Sequence, residues 1–510
     1  MTETFRLEDL LDIYDIGFLG YALNETRDQL TSRLAEGGSP LTTEKEAMLS
    51  ELVGLENSYL RRFSDGERSF QRDHLLSQYR PDLGSTIVGH YRKMCGGENN
   101  DMPTVNDDVE RLLLYFGEVT YPFRLQNDRN QGHISPVVAI FQDPMKDQLH
   151  TAVMDDGVLS KLYPNDSQQM GRSGSALRST GRSGNIQLSM FAENITAAAW
   201  HYAHFDSERP SFTEYAHAIL NVVQTLKKAL GGKPAKVPMG IGLAGVLLPQ
   251  GVESVDFGWS RLRRADQRDE YFTRRIPLNG QLQHTNAKGE NIVIDYVGNL
   301  TLEFDVPFKI ALKEHDLSDP WPDEFRISNE PVECLRLALI LAGVGENSTA
   351  FPTWQSVVDP FFSLENIGFS DPKQGQNLSP AQLAEDQVES WNKWATMIHD
   401  HRTAQTNMSI RRILRAVSER KEPEDTLIDA VIVWENLFGS SQETTLRVTM
   451  SVAWMLGTDS TNRSALCSEL KKVYRQRSDI VDGNDKLKTG LTSPYARRAI
   501  EVSLQLLYYV

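Results

Sequence analysis

Near its C-terminal end the chain reads Arg477-Ser478-Asp479-Ile480-Val481-Asp482-Gly483, an arginine four spacers ahead of an aspartate with a glycine behind it. Arginine is suited to gripping phosphate, because its guanidinium is planar, forked and always charged. Cutting a phosphodiester through the neighbouring ribose hydroxyl needs a base for the hydroxyl proton, an acid for the leaving oxygen and a cation for the crowded phosphoryl. Histidine titrates near neutrality and serves either proton role; a ribonuclease on this spacing would carry it at 482. The chain has Asp482 there, and no histidine after His401. An ordinary aspartate, with a pKa of about 3.9, is ionised at neutral pH and has no proton to give. Only burial or a second carboxylate nearby would turn it into an acid. The plain alternative is that Arg477 and Asp482 end a solvated helix that Gly483 caps.

Three other constellations carry chemistry. Trp259 to Ile276 holds six arginines, among them Arg264, Arg274 and Arg275, with Tyr271 and Phe272 between them. Cations interleaved with aromatics suit RNA and phosphate contact, while Asp266, Asp269 and Glu270 offer a salt-bridged surface instead. Arg172, Arg178 and Arg182 are further candidates for an anionic ligand. His201, His204 and Asp206 are spaced HxxHxD, so two imidazoles can share a helix face and a carboxylate could complete a metal set. Surface or capping histidines explain the same residues, and no metal is assigned. His399 and His401 point apart on a helix, yet either could lend an imidazole to the cleft at 482. Gly240-Ile241-Gly242-Leu243-Ala244-Gly245 matches GxGxxG. A nucleotide cradle needs strand, turn and helix N-terminus in that order, and Pro249 interrupts the helix that should follow. A glycine-rich strand or loop is the better account, and no cofactor is expected.

These residues need a scaffold, and 510 residues suffice for two to four domains. With 40% hydrophobic and 24% charged residues the chain is an ordinary globular one. Its first residues lack the basic and apolar regions of a signal peptide, and no window approaches a membrane span. Cys95, Cys334 and Cys467 are far apart, which implies a reducing cytoplasm rather than a disulfide framework. The net charge of −16 is uneven: residues 401–510 carry 16 Lys and Arg against 13 Asp and Glu, so the excess acid lies upstream. An acidic body repels nucleic acid and the C-terminal piece does not.

The fold class expected is α+β, a mixed body with a β-rich centre followed by an all-α bundle. Residues 1–120 read as helical, 121–330 as an α+β body, 331–380 as a helical connector and 381–510 as the bundle. Apolar spacing predicts helices from Leu7 to Leu23 and from Glu44 to Phe63. Strand signals lie at Pro136–Phe141, Asn185–Phe191 and Asn291–Leu312. The repeated Gly-Arg-Ser-Gly at 171 and 181 reads as a mobile surface loop. Ser211 and Glu214 form a capping box for a helix that Gly231-Gly232 closes. In the bundle, helices are predicted over Pro380–Glu419 with a break near Thr403, then Asp425–Phe438, Glu443–Leu456, Arg463–Val481 and Pro494–Tyr509.

The Asp425–Phe438 helix, the segment Lys471-Lys472-Val473-Tyr474-Arg475-Gln476-Arg477-Ser478-Asp479-Ile480-Val481-Asp482-Gly483 and the closing Arg497-Arg498-Ala499-Ile500 resemble the ApeA-like branch of the HEPN superfamily. The resemblance covers roughly 405 to 510, with a weaker echo at Cys334–Leu339. It implies a helical bundle that pairs into a homodimer or higher assembly, bringing two Arg-x4-to-6-His motifs into one cleft. It further implies metal-independent RNA cleavage in anti-phage defence, abortive infection or toxin–antitoxin systems, set off by a partner or phage-derived trigger. Carried onto this chain, Arg477 takes the phosphate-gripping position, Arg475 lies beside it, Glu435 or Asp429 would orient it, and Asp482 departs from the pattern. Two functions follow. The first is an RNA-directed cytoplasmic effector with a sensing N-terminal body and a weakened or altered ribonuclease site. The second is a non-catalytic pseudo-enzyme whose bundle, through the Trp434–Phe438 face, assembles with itself or a partner.

Overall fold

Local sequence rules set most of the helices. In the computed structural model, the described residues are all but 1–9, 12, 35–39, 99, 127–133, 165–174, 180–181, 274–280, 286–290, 296–297, 313–323, 344–349, 363–366, 370–380, 440–443, 484–491 and 510. The protein is mixed α+β and divides into two compact units. These do not follow the boundaries read from the sequence, because packing joins segments distant in the chain. One unit is Met1–Pro238 with Pro307–Trp321 and Val357–Asn366; the other is Met239–Val306, Pro322–Ser356 and Ile367–Val510.

The first unit is chiefly helical. Asp108–Arg124, Phe191–Asp206 and Phe212–Leu230 pack together, the last opened by the Ser211–Glu214 capping box and turned off where Gly232 takes φ +72°. A buried ion pair ties two of them, Arg124 to Glu193 at 2.8 Å. Three sequence expectations change here. Pro136–Phe141 belongs to the helix Ile134–Gln142 rather than a strand, since a short apolar run fits either period and only its neighbours decide. Helix, not strand, begins at Phe191. The tract expected to be a loop supplies two antiparallel strands, Ser175–Ser179 and Arg182–Ile186, and Ile310–Leu312 adds a third.

In the second unit a six-stranded sheet runs in the order Ile367–Phe369, Phe351–Val357, Ala235–Ala244, Leu300–Phe308, Arg261–Arg264, Ser254–Asp256. Gly240 and Gly242 of the GxGxxG fall in its Ala235–Ala244 strand, and Gly245 follows the strand at φ +94°. A Cβ on Gly242 would lie 2.1 Å from the Trp354 ring nitrogen, so the glycine admits an indole where a cradle would admit phosphate. Phe351–Val357 also corrects the helical connector: its β-branched and aromatic residues form a buried strand.

Seven described helices follow: α1 Glu324–Leu341, α2 Glu385–His401, α3 Ala404–Ser418, α4 Pro423–Phe438, α5 Thr444–Leu456, α6 Ser460–Val481 and α7 Thr492–Tyr509. Thr403 caps α3, Pro423 opens α4, and Asp459 caps α6 by accepting from the Asn462 amide at 2.9 Å. One apolar core joins them, including Leu337 and Ile340 of α1, Ile413 of α3, Val431 and Trp434 of α4, and Val502 of α7. Trp434 is fully buried, and its ring N–H donates to Ser503 of α7 at 2.9 Å. Trp434 is therefore core rather than assembly face; its truncation to alanine costs about 3–5 kcal/mol of bundle stability.

Candidate functional site

On α4, Asp429 and Glu435 are six residues apart and point to different neighbours. Asp429 is buried and accepts from Arg412 and Arg420, 2.6 Å each, which clasps α3 to α4. Among the described ion pairs, Arg477 meets Glu435 and not Asp429. Glu435 lies 3.3 Å from the Arg477 guanidinium on α6, and its other oxygen accepts from the Tyr474 hydroxyl. Tyr474 and Arg477 are three apart, hence on one helix face. Burial, then the Glu435 charge, pushes the Tyr474 phenol up to about 12, so it holds its proton through the neutral range.

Arg477 is thus held without being used up. Its side chain is about one-fifth exposed, and among the described residues its Nε, although buried, has no hydrogen-bond partner. A guanidinium with one N–H spent on a carboxylate and part of its edge exposed can present its outward N–H groups to an oxyanion from the solvent side. Proton transfer has less to work with. Asp482 caps the C-terminus of α6 in an exposed position, where Gly483 at φ +69° ends the helix. There the helix dipole already presents negative charge. Arg475 is exposed on the same helix. The sequence reading passed over Tyr474, although its three-residue spacing to Arg477 was a signal available for it.

The remaining candidates lie elsewhere. Arg264 spends its N–H groups on the Leu248, Pro249 and Val252 carbonyls at 3.0, 2.7 and 3.0 Å, beside a cleft of about 520 Å³ lined also by Glu253 and Gln382. Arg263 is buried between Asp269 at 2.8 Å and Glu303 at 2.6 Å, and Arg268 pairs with Asp266. Of the described arginines of this stretch, Arg263 and Arg268 are thus spent on carboxylates and Arg264 on backbone carbonyls, while Arg261 is exposed; Arg274 and Arg275 lie outside the described residues. His201 and His204 are buried, His204 edge-on to Trp200 at 4.9 Å, while Asp206 of the same spacing is exposed. Among the described residues no three His, Cys, Asp or Glu side chains gather as a metal-ligand set. His399 stacks on Trp259 at 4.4 Å rather than facing Arg477, and desolvation there lowers its pKa. No described helix is long and apolar enough to cross a membrane. Comparison with known protein families, curated proteins and solved structures finds no match to this chain.

Proposed function

We propose that the helical bundle is HEPN-like and RNA-directed, gripping RNA phosphate through Arg477, with an altered ribonuclease site in which Asp482 replaces the proton-transferring histidine. The observation that carries this reading is the Glu435–Arg477–Tyr474 arrangement, in which the guanidinium meets one carboxylate at 3.3 Å and stays partly exposed. Binding needs only that cation; cleavage also needs a group able to exchange a proton near neutrality. The resemblance adds the setting, a cytoplasmic anti-phage or abortive-infection protein answering to a partner or phage-derived trigger.

The test is RNA binding and RNA integrity with the purified chain in EDTA, comparing wild type, Arg477→Ala and Asp482→His. Wild type is expected to bind single-stranded RNA with strong salt dependence and to leave it largely intact. Arg477→Ala should weaken binding about tenfold and lower the salt slope by about one. Asp482→His should bind as wild type does and gain cleavage that Arg477→Ala removes. Equal RNA affinity of wild type and Arg477→Ala would sink the proposal.

A further inference from the structure

Helices α5 and α6 form an antiparallel hairpin. The Cys467 thiol reaches the Thr449 hydroxyl at 3.9 Å, and Arg463 lies over Trp454 at 4.2 Å. Arg463 and Arg477 stand 14 residues apart on α6, about 21 Å along its axis at 1.5 Å per residue. Between them α5 turns a stripe of Leu446, Met450 and Trp454 to solvent, exposed by 44, 44 and 62%. Apolar residues scattered singly on a surface mean little; three at four-residue spacing make a continuous patch. Trp454 is prepared for contact. The Nε of Arg463 donates to the Gly457 carbonyl at 3.1 Å, which fixes the guanidinium over the indole and leaves the rest of the ring open.

Charge indicates what covers this stripe. In a chain of net charge −16, residues 444–481 carry Arg447, Arg463, Lys471, Lys472, Arg475 and Arg477 against three acids, and α5 itself has no acid. A second copy docking the same face would set these cations against their own kind. Single-stranded nucleic acid brings the complementary features, a negative backbone and flat bases that stack on aromatic faces.

We infer that the α5–α6 hairpin is a track for single-stranded RNA, on which Trp454 stacks a base a few nucleotides from the phosphate held at Arg477. This rests on the RNA-directed reading above and adds a second, independent subsite to it. The experiment is a binding titration of the full chain with a labelled RNA of about 12 nucleotides, single-stranded and as a duplex, in EDTA. The variants are Trp454→Ala, Trp454→Phe and Arg477→Ala, with sedimentation of each. Trp454→Ala should weaken single-strand binding about tenfold while Trp454→Phe keeps most of it, and duplex binding should be unmoved by either. Because Trp454 is exposed and its contact with Arg463 is at the surface, Trp454→Ala should melt within a few degrees of wild type. Wild-type affinity in Trp454→Ala with a loss in Arg477→Ala would overturn the track and leave the phosphate reading standing. No loss in either would overturn both. A dimer that falls to monomer in Trp454→Ala at unchanged RNA affinity would instead make the stripe a contact between copies.

Discussion

Asp429 and Glu435 stand on one helix and both hold arginines, yet one is a clasp and the other a site. Asp429 is 1% exposed and saturated by two guanidinium groups at 2.6 Å. Glu435 is 22% exposed and meets one arginine at 3.3 Å. Deep, short and fully paired charges are costly to separate and have little left to offer a ligand. The looser pair is screened by water and weakly bound, so an incoming phosphate can compete for Arg477. Burial and saturation, more than residue type, separate structure from function along these two turns of helix.

The comparison breaks most visibly at Asp429. Asp429→Ala leaves two partly solvated arginines without their counter-charge and should cost about 2–3 kcal/mol in urea unfolding, with RNA affinity of the folded molecules unchanged. An unaltered urea midpoint would mean that the clasp is idle. Arg477→Ala is expected to do the reverse: a tenfold loss of RNA affinity, about 1.4 kcal/mol, at a stability within about 1 kcal/mol of wild type. Glu435→Gln removes the charge that competes with phosphate, and RNA affinity at low salt should rise roughly two- to fivefold; a fall would assign Glu435 to positioning instead. The smallest effect is a pH dependence. Tyr474 titrates near 12 when folded and about 10 when unfolded. Between those values the folded state alone keeps the proton, so stability falls as pH rises. Tyr474→Phe should flatten that part of the urea-midpoint profile; an unchanged profile removes Tyr474 from the pair.

Much of the bundle was legible before any coordinates. The helix break near Thr403 is where a threonine caps α3, and the remaining predicted ends fall within a few residues of those observed. Caps, glycines and apolar spacing act within a turn or two of chain, so a linear reading captures them. The site was half legible. Arg477 and Glu435 could be singled out, but their pairing spans 42 residues, and nothing local distinguishes Glu435 from Asp429 as the partner.

Long-range packing decided the rest. Pro136–Phe141 is apolar enough for either period and became helix by what surrounds it. Phe351–Val357 joined a sheet in which its neighbour Ala235–Ala244 lies more than a hundred residues away in sequence. Arg263, Arg264 and Arg268 found carboxylates and carbonyls of their own. By itself the sequence determined the mixed α+β class, the helices of the bundle and a cation near its C-terminal end, because these depend on neighbours along the chain. Only the tertiary structure decided which carboxylate is buried and spent on the fold and which stands partly exposed beside Arg477, because burial and pairing are properties of groups that meet in space.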